Sequence, residues 1–273
     1  MRAGSVRAAL LLVVVYVLLA WGLGTVLSDL VGDDQPAAQF ALGHLVPLPI
    51  GIALLLLYVR RAGLGSAVWR ERPTPTLVPP RRWLIAIPVI AIVEPLVELA
   101  DVPWADVALG LVAVVALGTL LVGLGEELLI RGVLLTAVRR RHGELVTLLV
   151  TAGVFALAHL PGSITAGAPP AVLAIQVGGL AVVGAGYYWI RRVTGRLWVA
   201  ALVHAFTDWV LYLGSGADVP ATSVPQEHTS SSDPFIATIE VVLWILLAVG
   251  VVSLIREDRR NRRGTPLSES VAR

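Results

Sequence analysis

The chain has 273 residues, of which 56% are hydrophobic and 15% are charged, and its mean hydropathy is +0.81. These values are typical of a protein with several membrane-spanning segments and argue against an ordinary soluble domain. Cys is absent, which excludes disulfides, thiolate catalysis and Cys-based metal sites. All 21 basic residues are Arg, and they fall in short runs between apolar segments. That distribution indicates membrane topology and not a nucleic-acid partner.

Eight apolar segments are each about long enough to cross a hydrocarbon core of about 30 Å as helices. They cover residues 8–30, 40–59, 83–100, 107–130, 145–160, 171–190, 197–213 and 235–255. The first follows Arg2 and Arg7, but it is too long for a signal peptide and no cleavage motif follows it, so we interpret it as a retained helix. The sequence predicts an all-α, polytopic transmembrane bundle, with a single domain over residues 1–258 and a basic tail over 259–273.

The connections between these segments alternate in charge along the chain. The chain before the first segment contains Arg, and so does each stretch that follows an even-numbered segment. Each stretch that follows an odd-numbered segment contains acidic residues or no charged residue. By the positive-inside rule, both termini are predicted to be cytoplasmic. The expected location is the cell (plasma) membrane, and the polar loop at 214–233 is predicted to be external.

Residues 123–135, GLGEELLIRGVLL, place Glu126, Glu127 and Arg131 inside a stretch whose other residues are typical of a hydrophobic helix. An acidic residue or Arg at a helix centre costs about 2.5 to 3.5 kcal/mol on insertion, whereas each Leu or Val returns only about 0.3 to 0.6 kcal/mol. The three charges are therefore predicted to face protein or a polar cavity. Glu127 and Arg131 are spaced i,i+4 and can satisfy each other, while Glu126 points about 100° away and has no obvious local partner.

Histidines supply most of the other ionisable groups in the apolar segments. FALAHLPG places His159 four residues after Phe155 in the fifth segment, and ALVHAFTDW places Asp208 four residues after His204 in the seventh. With a rise of about 1.5 Å per residue, Glu126, His159 and His204 lie roughly 13 to 22 Å from the cytoplasmic ends of their segments. Similar depth is what one shared intramembrane site requires.

Three patterns thus occur in order along the fourth, fifth and seventh segments. They are Glu126-Glu127-x-x-x-Arg131, Phe155-x-x-x-His159 and His204-x-x-x-Asp208. Together they resemble the signature of the CPBP family, the CAAX prenyl proteases and bacteriocin-processing enzymes that are also called Abi proteins. The resemblance covers about residues 107–213. It implies an intramembrane glutamic endopeptidase that needs no metal or other cofactor and acts on a membrane-associated peptide or protein.

The resemblance also implies roles for single residues. Glu126 and His159 are expected to activate water together, and His204 and residue 208 are expected to help to hold the oxyanion. The chain departs from the prenyl proteases at Asp208, where they carry Asn. An ionised Asp cannot donate a hydrogen bond. Asp208 is therefore expected either to be protonated or, the interpretation we favour, to orient His204 and to leave the imidazole as the donor. The expected supporting residues are Glu127, Arg131 and Phe155.

The residues by themselves leave three alternatives open. His159, His204 and a carboxylate make a credible zinc ligand set for a metalloprotease, although the chain has no HExxH motif. Intramembrane acids and histidines also relay protons in transporters, although no inverted repeat is visible here. The third alternative is an immunity protein that uses a degenerate protease fold.

Overall fold

A computed structural model describes residues 4–32, 34–77, 79–215 and 234–263. The described chain is helical, and β structure within it is limited to one isolated bridge between Arg70 and Arg196. The predicted all-α, polytopic bundle is therefore confirmed. Most of the predicted external loop and the end of the predicted tail lie outside the described residues.

In the part of the chain that the structure describes, eight helices form the bundle. They are α1 (Val6–Ser28), α2 (Pro36–Arg61), α3 (Ala86–Glu98), α4 (Leu109–Arg139), α5 (Glu144–Thr165), α6 (Pro170–Thr194), α7 (Leu197–Gly214) and α8 (Pro234–Arg262). Seven of them, all except α3, are long and apolar enough to cross a membrane. The last helix continues through Arg262, so the first residues of the predicted tail extend α8.

The segment predicted at 83–100 forms a shorter helix than expected. Pro79 and Pro80 precede it and restrict the backbone, so it opens with a 3-10 turn at Arg82–Ile85 before α3 begins. The turn and α3 together cover about 28 Å. Arg81, before the turn, pairs at 2.7 Å with Glu257 near the end of α8, and Val102, after α3, packs in one cluster with Val210 near the end of α7. The segment therefore runs from one end of the bundle to the other.

The two ends of the described chain lie at the same end of the bundle. The Gly4 amide donates a hydrogen bond of 2.8 Å to the Tyr58 hydroxyl at the end of α2, and Gly4 lies against Arg140 just after α4. At the other chain end, the carboxylate of Asp258 accepts hydrogen bonds from the amides of Glu144 and Leu145, which begin α5. Because α5 begins directly after α4, both ends of the described chain lie at this end of the bundle.

Ion pairs tie five chain segments together at this end. Arg139 pairs with Glu71 and, at 2.7 Å, with Glu144; Arg192 pairs with Glu144 and with Glu257, each at 3.1 Å. Glu71 belongs to the connection between α2 and α3, so that connection is fixed to the bundle. These charges are mostly buried and alternate in sign, so each carboxylate contacts at least one guanidinium.

Helices α4 and α7 pack with their backbones in close contact at Gly123. A Cβ at this position would lie 2.4 Å from the carbonyl oxygen of Ala201 and 2.8 Å from the amide nitrogen of Ala205. Small residues on both helices permit this approach, as in other membrane bundles. The contact lies one helical turn from Glu127 and His204, so it sets the distance between two of the predicted motifs.

The topology can be tested with reporter fusions. Fusions in the connections at 101–106 and 161–170 and in the 214–233 loop are expected to report the external side, and fusions after Arg82, Arg141 and Arg196 the cytoplasm, because Arg-rich connections are retained inside. A cytoplasmic signal from the 214–233 loop would contradict eight crossings.

The close contact at Gly123 predicts a stability difference between two glycine substitutions. Gly123→Ala should lower the melting temperature in detergent, because the new Cβ meets backbone atoms that cannot move independently. The expected loss of free energy of unfolding is roughly 1 to 3 kcal/mol. Gly153→Ala in α5 is the control, because a Cβ there would meet nothing within 4 Å. It should be neutral or stabilising by up to about 1 kcal/mol. Equal melting temperatures for the two variants would contradict the close packing of α4 on α7.

Candidate active site

A cavity of about 160 Å³ lies between the helices that carry the three predicted motifs. Each motif contributes to its wall, and the four predicted catalytic side chains all line it: Glu126, His159, His204 and Asp208. A cavity of this volume has room for several water molecules. The structure therefore brings together the groups that the sequence placed at similar depth.

Glu126 is the carboxylate that faces the cavity. Its side chain keeps 22% of its surface exposed, and its Oε2 lies 3.9 Å from the Nε2 of His159. Within the described part of the chain it makes no hydrogen bond. At 3.9 Å the two groups are too far apart for a direct hydrogen bond, but one water molecule can contact both of them.

His159 is held by a local break in α5. Pro161 has no amide hydrogen for the carbonyl of Leu157, and the His159 amide bonds to the Ala156 carbonyl in place of the Phe155 carbonyl. The Phe155 carbonyl instead contacts the His159 ring at Nδ1, at 2.8 Å. Since a carbonyl only accepts, Nδ1 carries the proton, and in a neutral ring Nε2 presents its lone pair toward Glu126.

Glu127 and Arg131 form the fully buried ion pair that their spacing predicts. The guanidinium donates from Nη1 to Glu127 Oε1 at 2.7 Å and from Nη2 to the Gly184 carbonyl of α6 at 2.8 Å. Its Cζ also lies 4.5 Å from the centre of the Phe155 ring. A π-helical turn, Leu128–Leu134, begins directly after Glu127. Such turns are frequent at functional sites.

His204 lies between two carboxylates. Its Nδ1 is 3.1 Å from Glu127 Oε1 and its Nε2 is 3.4 Å from Asp208 Oδ2, while its ring stacks on Tyr187 at 4.5 Å. The expected contact between Asp208 and His204 is thus present. The contact from Glu127 was not expected from sequence, because Arg131 alone accounts for that carboxylate on its own helix. Glu127 therefore connects the first and third motifs.

The alternative zinc ligand set is not assembled in this arrangement. Both ring nitrogens of His204 contact carboxylates, and Nδ1 of His159 contacts a main-chain carbonyl. Across residues 4–32, 34–77, 79–215 and 234–263, no group of three His, Asp or Glu side chains is arranged to hold a metal ion.

Residues 108–210 match the family described as Rce1-like, type II CAAX prenyl endopeptidase. This segment is therefore similar to the CAAX prenyl proteases. The match runs from the start of α4 almost to the end of α7, so it contains all three motifs and confirms the resemblance. No curated protein and no solved structure matches the chain.

The cavity also contains residues from α1 and α2, which lie outside the CAAX protease segment. His44 of α2 lines it, is buried, and contacts the Phe40 carbonyl through Nδ1 at 3.0 Å. This is the arrangement found at His159, and the two sequences are almost identical: FALGHL at 40–45 and FALAHL at 155–160. Sequence analysis missed His44, although this short repeat points to it. Tyr16 of α1, also missed, has no such sequence signal.

The shared carboxylate of Glu127 predicts a stability order among three proteins. Glu127→Ala should lose about 3 to 5 kcal/mol of stability, because it leaves Arg131 charged and unpaired in the core. The double variant Glu127→Leu with Arg131→Leu should recover much of that loss, because no unpaired charge remains. It should not recover full activity, because His204 still lacks its Nδ1 partner. Melting temperature and cleavage rate should be measured on both variants and on the wild type. If Glu127→Ala were as stable as the double variant, the interpretation of Glu127 and Arg131 as a buried ion pair would be contradicted.

Proposed function

We propose that this protein is an intramembrane glutamic endopeptidase of the plasma membrane that hydrolyses a peptide bond in a membrane-associated peptide or protein. The family match supports a CAAX-type protease. The observation that carries the finer proposal is the pair formed by Glu126 and His159, which face each other at 3.9 Å in a cavity with room for water. No partner beyond the substrate and the lipid bilayer is needed, and nothing in the motifs calls for nucleic acid.

In the proposed reaction, a water molecule binds between Glu126 and the Nε2 of His159. Glu126 accepts a proton as the water oxygen attacks the carbonyl carbon of the scissile bond. The carbonyl oxygen becomes an oxyanion in the tetrahedral intermediate. When the carbon–nitrogen bond breaks, the proton held by the Glu126 and His159 pair passes to the leaving amine. One carboxylate and one imidazole thus serve as base and then as acid.

We assign the oxyanion contact to the Nε2–H of His204. A contact of 3.4 Å to Asp208 is longer than a strong hydrogen bond, so this N–H can be shared with a substrate oxygen. The shorter contact between Nδ1 and Glu127 keeps the ring in place. Asp208 then acts as an orienting acceptor, which is the role open to a carboxylate where the prenyl proteases carry Asn.

The test is cleavage of internally quenched peptides that end in Cys-aliphatic-aliphatic-X, with and without a prenyl group on the Cys. Glu126→Gln keeps the shape of the side chain but removes the base, so the cleavage rate should fall by about a hundredfold or more with an unchanged melting temperature. Glu240→Gln is the matched control, because Glu240 of α8 does not line the cavity.

Two results would contradict this assignment. Near wild-type cleavage by Glu126→Gln would show that Glu126 is not the base. Loss of wild-type activity in a strong chelator, with recovery on adding zinc, would favour the metalloprotease alternative. The ratio of rates on the two peptides reports whether the prenyl group is recognised.

A further inference from the structure

Tyr16 of α1 has a buried hydroxyl group beside the active-site cavity. Its side chain lines the cavity, and the residue is only 4% exposed. Among the residues described, its hydroxyl has no hydrogen-bond partner. Leaving a buried hydroxyl unsatisfied costs about 1 to 3 kcal/mol. A buried phenol without a partner among these residues needs an explanation, and a partner in the working site supplies one.

Two glycines make the space that this phenol occupies. A Cβ at Gly51 of α2 would lie 2.9 Å from two ring carbons of Tyr16. A Cβ at Gly125 of α4 would lie 2.0 Å from its hydroxyl oxygen. Gly125 immediately precedes Glu126, so the hydroxyl is held against the backbone from which Glu126 projects. Any larger residue at position 125 would displace it.

Within the described chain, Glu126 lacks a hydrogen-bond donor, just as the Tyr16 hydroxyl lacks an acceptor. Its carboxylate can only accept hydrogen bonds when ionised, and it accepts none from the described residues. The side chain of Tyr16 lines the same cavity, and its hydroxyl lies against Gly125, the residue next to Glu126. One wall of the cavity therefore holds an unused donor and an unused acceptor at neighbouring positions.

We infer that Tyr16 is a positioning residue for Glu126, whose hydroxyl donates a hydrogen bond to the carboxylate, directly or through one water, in the hydrated enzyme. This inference rests on the proposed function. The hydrogen bond would orient the carboxylate toward the reacting water and stabilise its ionised form. The donor comes from α1, which lies outside the segment that matches the CAAX protease family.

Other titratable groups also face this cavity and contribute to the environment of Glu126. They are His44, His159, Tyr187, His204, Asp208 and Tyr212. Substituting the Tyr16 hydroxyl leaves all of these groups in place, so a change in the pH profile reports the loss of this one donor.

Tyr16→Phe is the main test, since it keeps the ring in its glycine slot and removes the hydroxyl. The kcat should fall by about tenfold to a hundredfold, because the variant loses one hydrogen bond to a charged group, and KM should change little. A hydrogen bond to a carboxylate favours the ionised form, so its removal should shift the acid limb of the kcat/KM profile upward by about one pH unit. The melting temperature should stay the same or rise.

Tyr58→Phe is the matched control. The Tyr58 hydroxyl accepts the Gly4 amide at the end of the bundle where the chain ends meet, away from the cavity. Its loss should change stability only, with the pH profile unmoved. If Tyr16→Phe does not fold, Gly125→Ala replaces it in the same assay, because the new Cβ displaces the hydroxyl while keeping the phenol.

The outcomes separate this inference from the proposed function. A wild-type protein that cleaves neither peptide contradicts CAAX-type cleavage, and with it the activity on which this inference rests. A wild-type protein that cleaves, a Glu126→Gln variant that does not, and a Tyr16→Phe variant with wild-type kcat and pH profile contradict the role of Tyr16 alone.

Discussion

The buried guanidinium of Arg131 is the group on which the arrangement of the motif helices depends. A charge without solvent in the bundle is tolerated only where several groups compensate it. Glu127 does so from its own helix, the Gly184 carbonyl from α6 and the ring of Phe155 from α5, while His204 of α7 joins through Glu127. Four helices therefore meet at one charge, and moving any of them leaves a polar group unsatisfied.

The two adjacent carboxylates lie in different environments, which suit a structural role for Glu127 and the proposed role of base for Glu126. Glu127 is fully buried and accepts from two partners, so it is fixed. Glu126, about 100° around the helix, faces the cavity with part of its surface free. A base must be able to bind water and change its protonation state, and a structural carboxylate must not. Neighbouring residues on a helix point about 100° apart, so Glu127 faces the core and Glu126 faces the cavity.

The cavity is also built from helices outside the matched segment. Helices α1 and α2 bring Tyr16 and His44 to its wall, and the glycines at 51 and 125 allow α1 to approach closely. At the end of the bundle where the described chain begins and ends, ion pairs of alternating charge hold α4, α5, α6 and α8 in register. The positions of the helices that line the cavity are therefore fixed by close packing beside the cavity and by ion pairs at one end of the bundle.

The sequence predicted the helical bundle from the lengths of the apolar segments and the distribution of Arg. It predicted the pair of Glu127 and Arg131, and the residues that line the site, from i,i+4 spacing and from the cost of placing charge in lipid. All of these depend on local periodicity or on the cost of charge in lipid. Partners between helices depend on their rotation and close approach, which local periodicity does not specify. Only the tertiary structure therefore decided that Glu127 contacts His204, that Glu126 faces His159 across a gap of 3.9 Å, and that Tyr16 enters the cavity. The shortened α3 was decided by prolines and by packing at both of its ends.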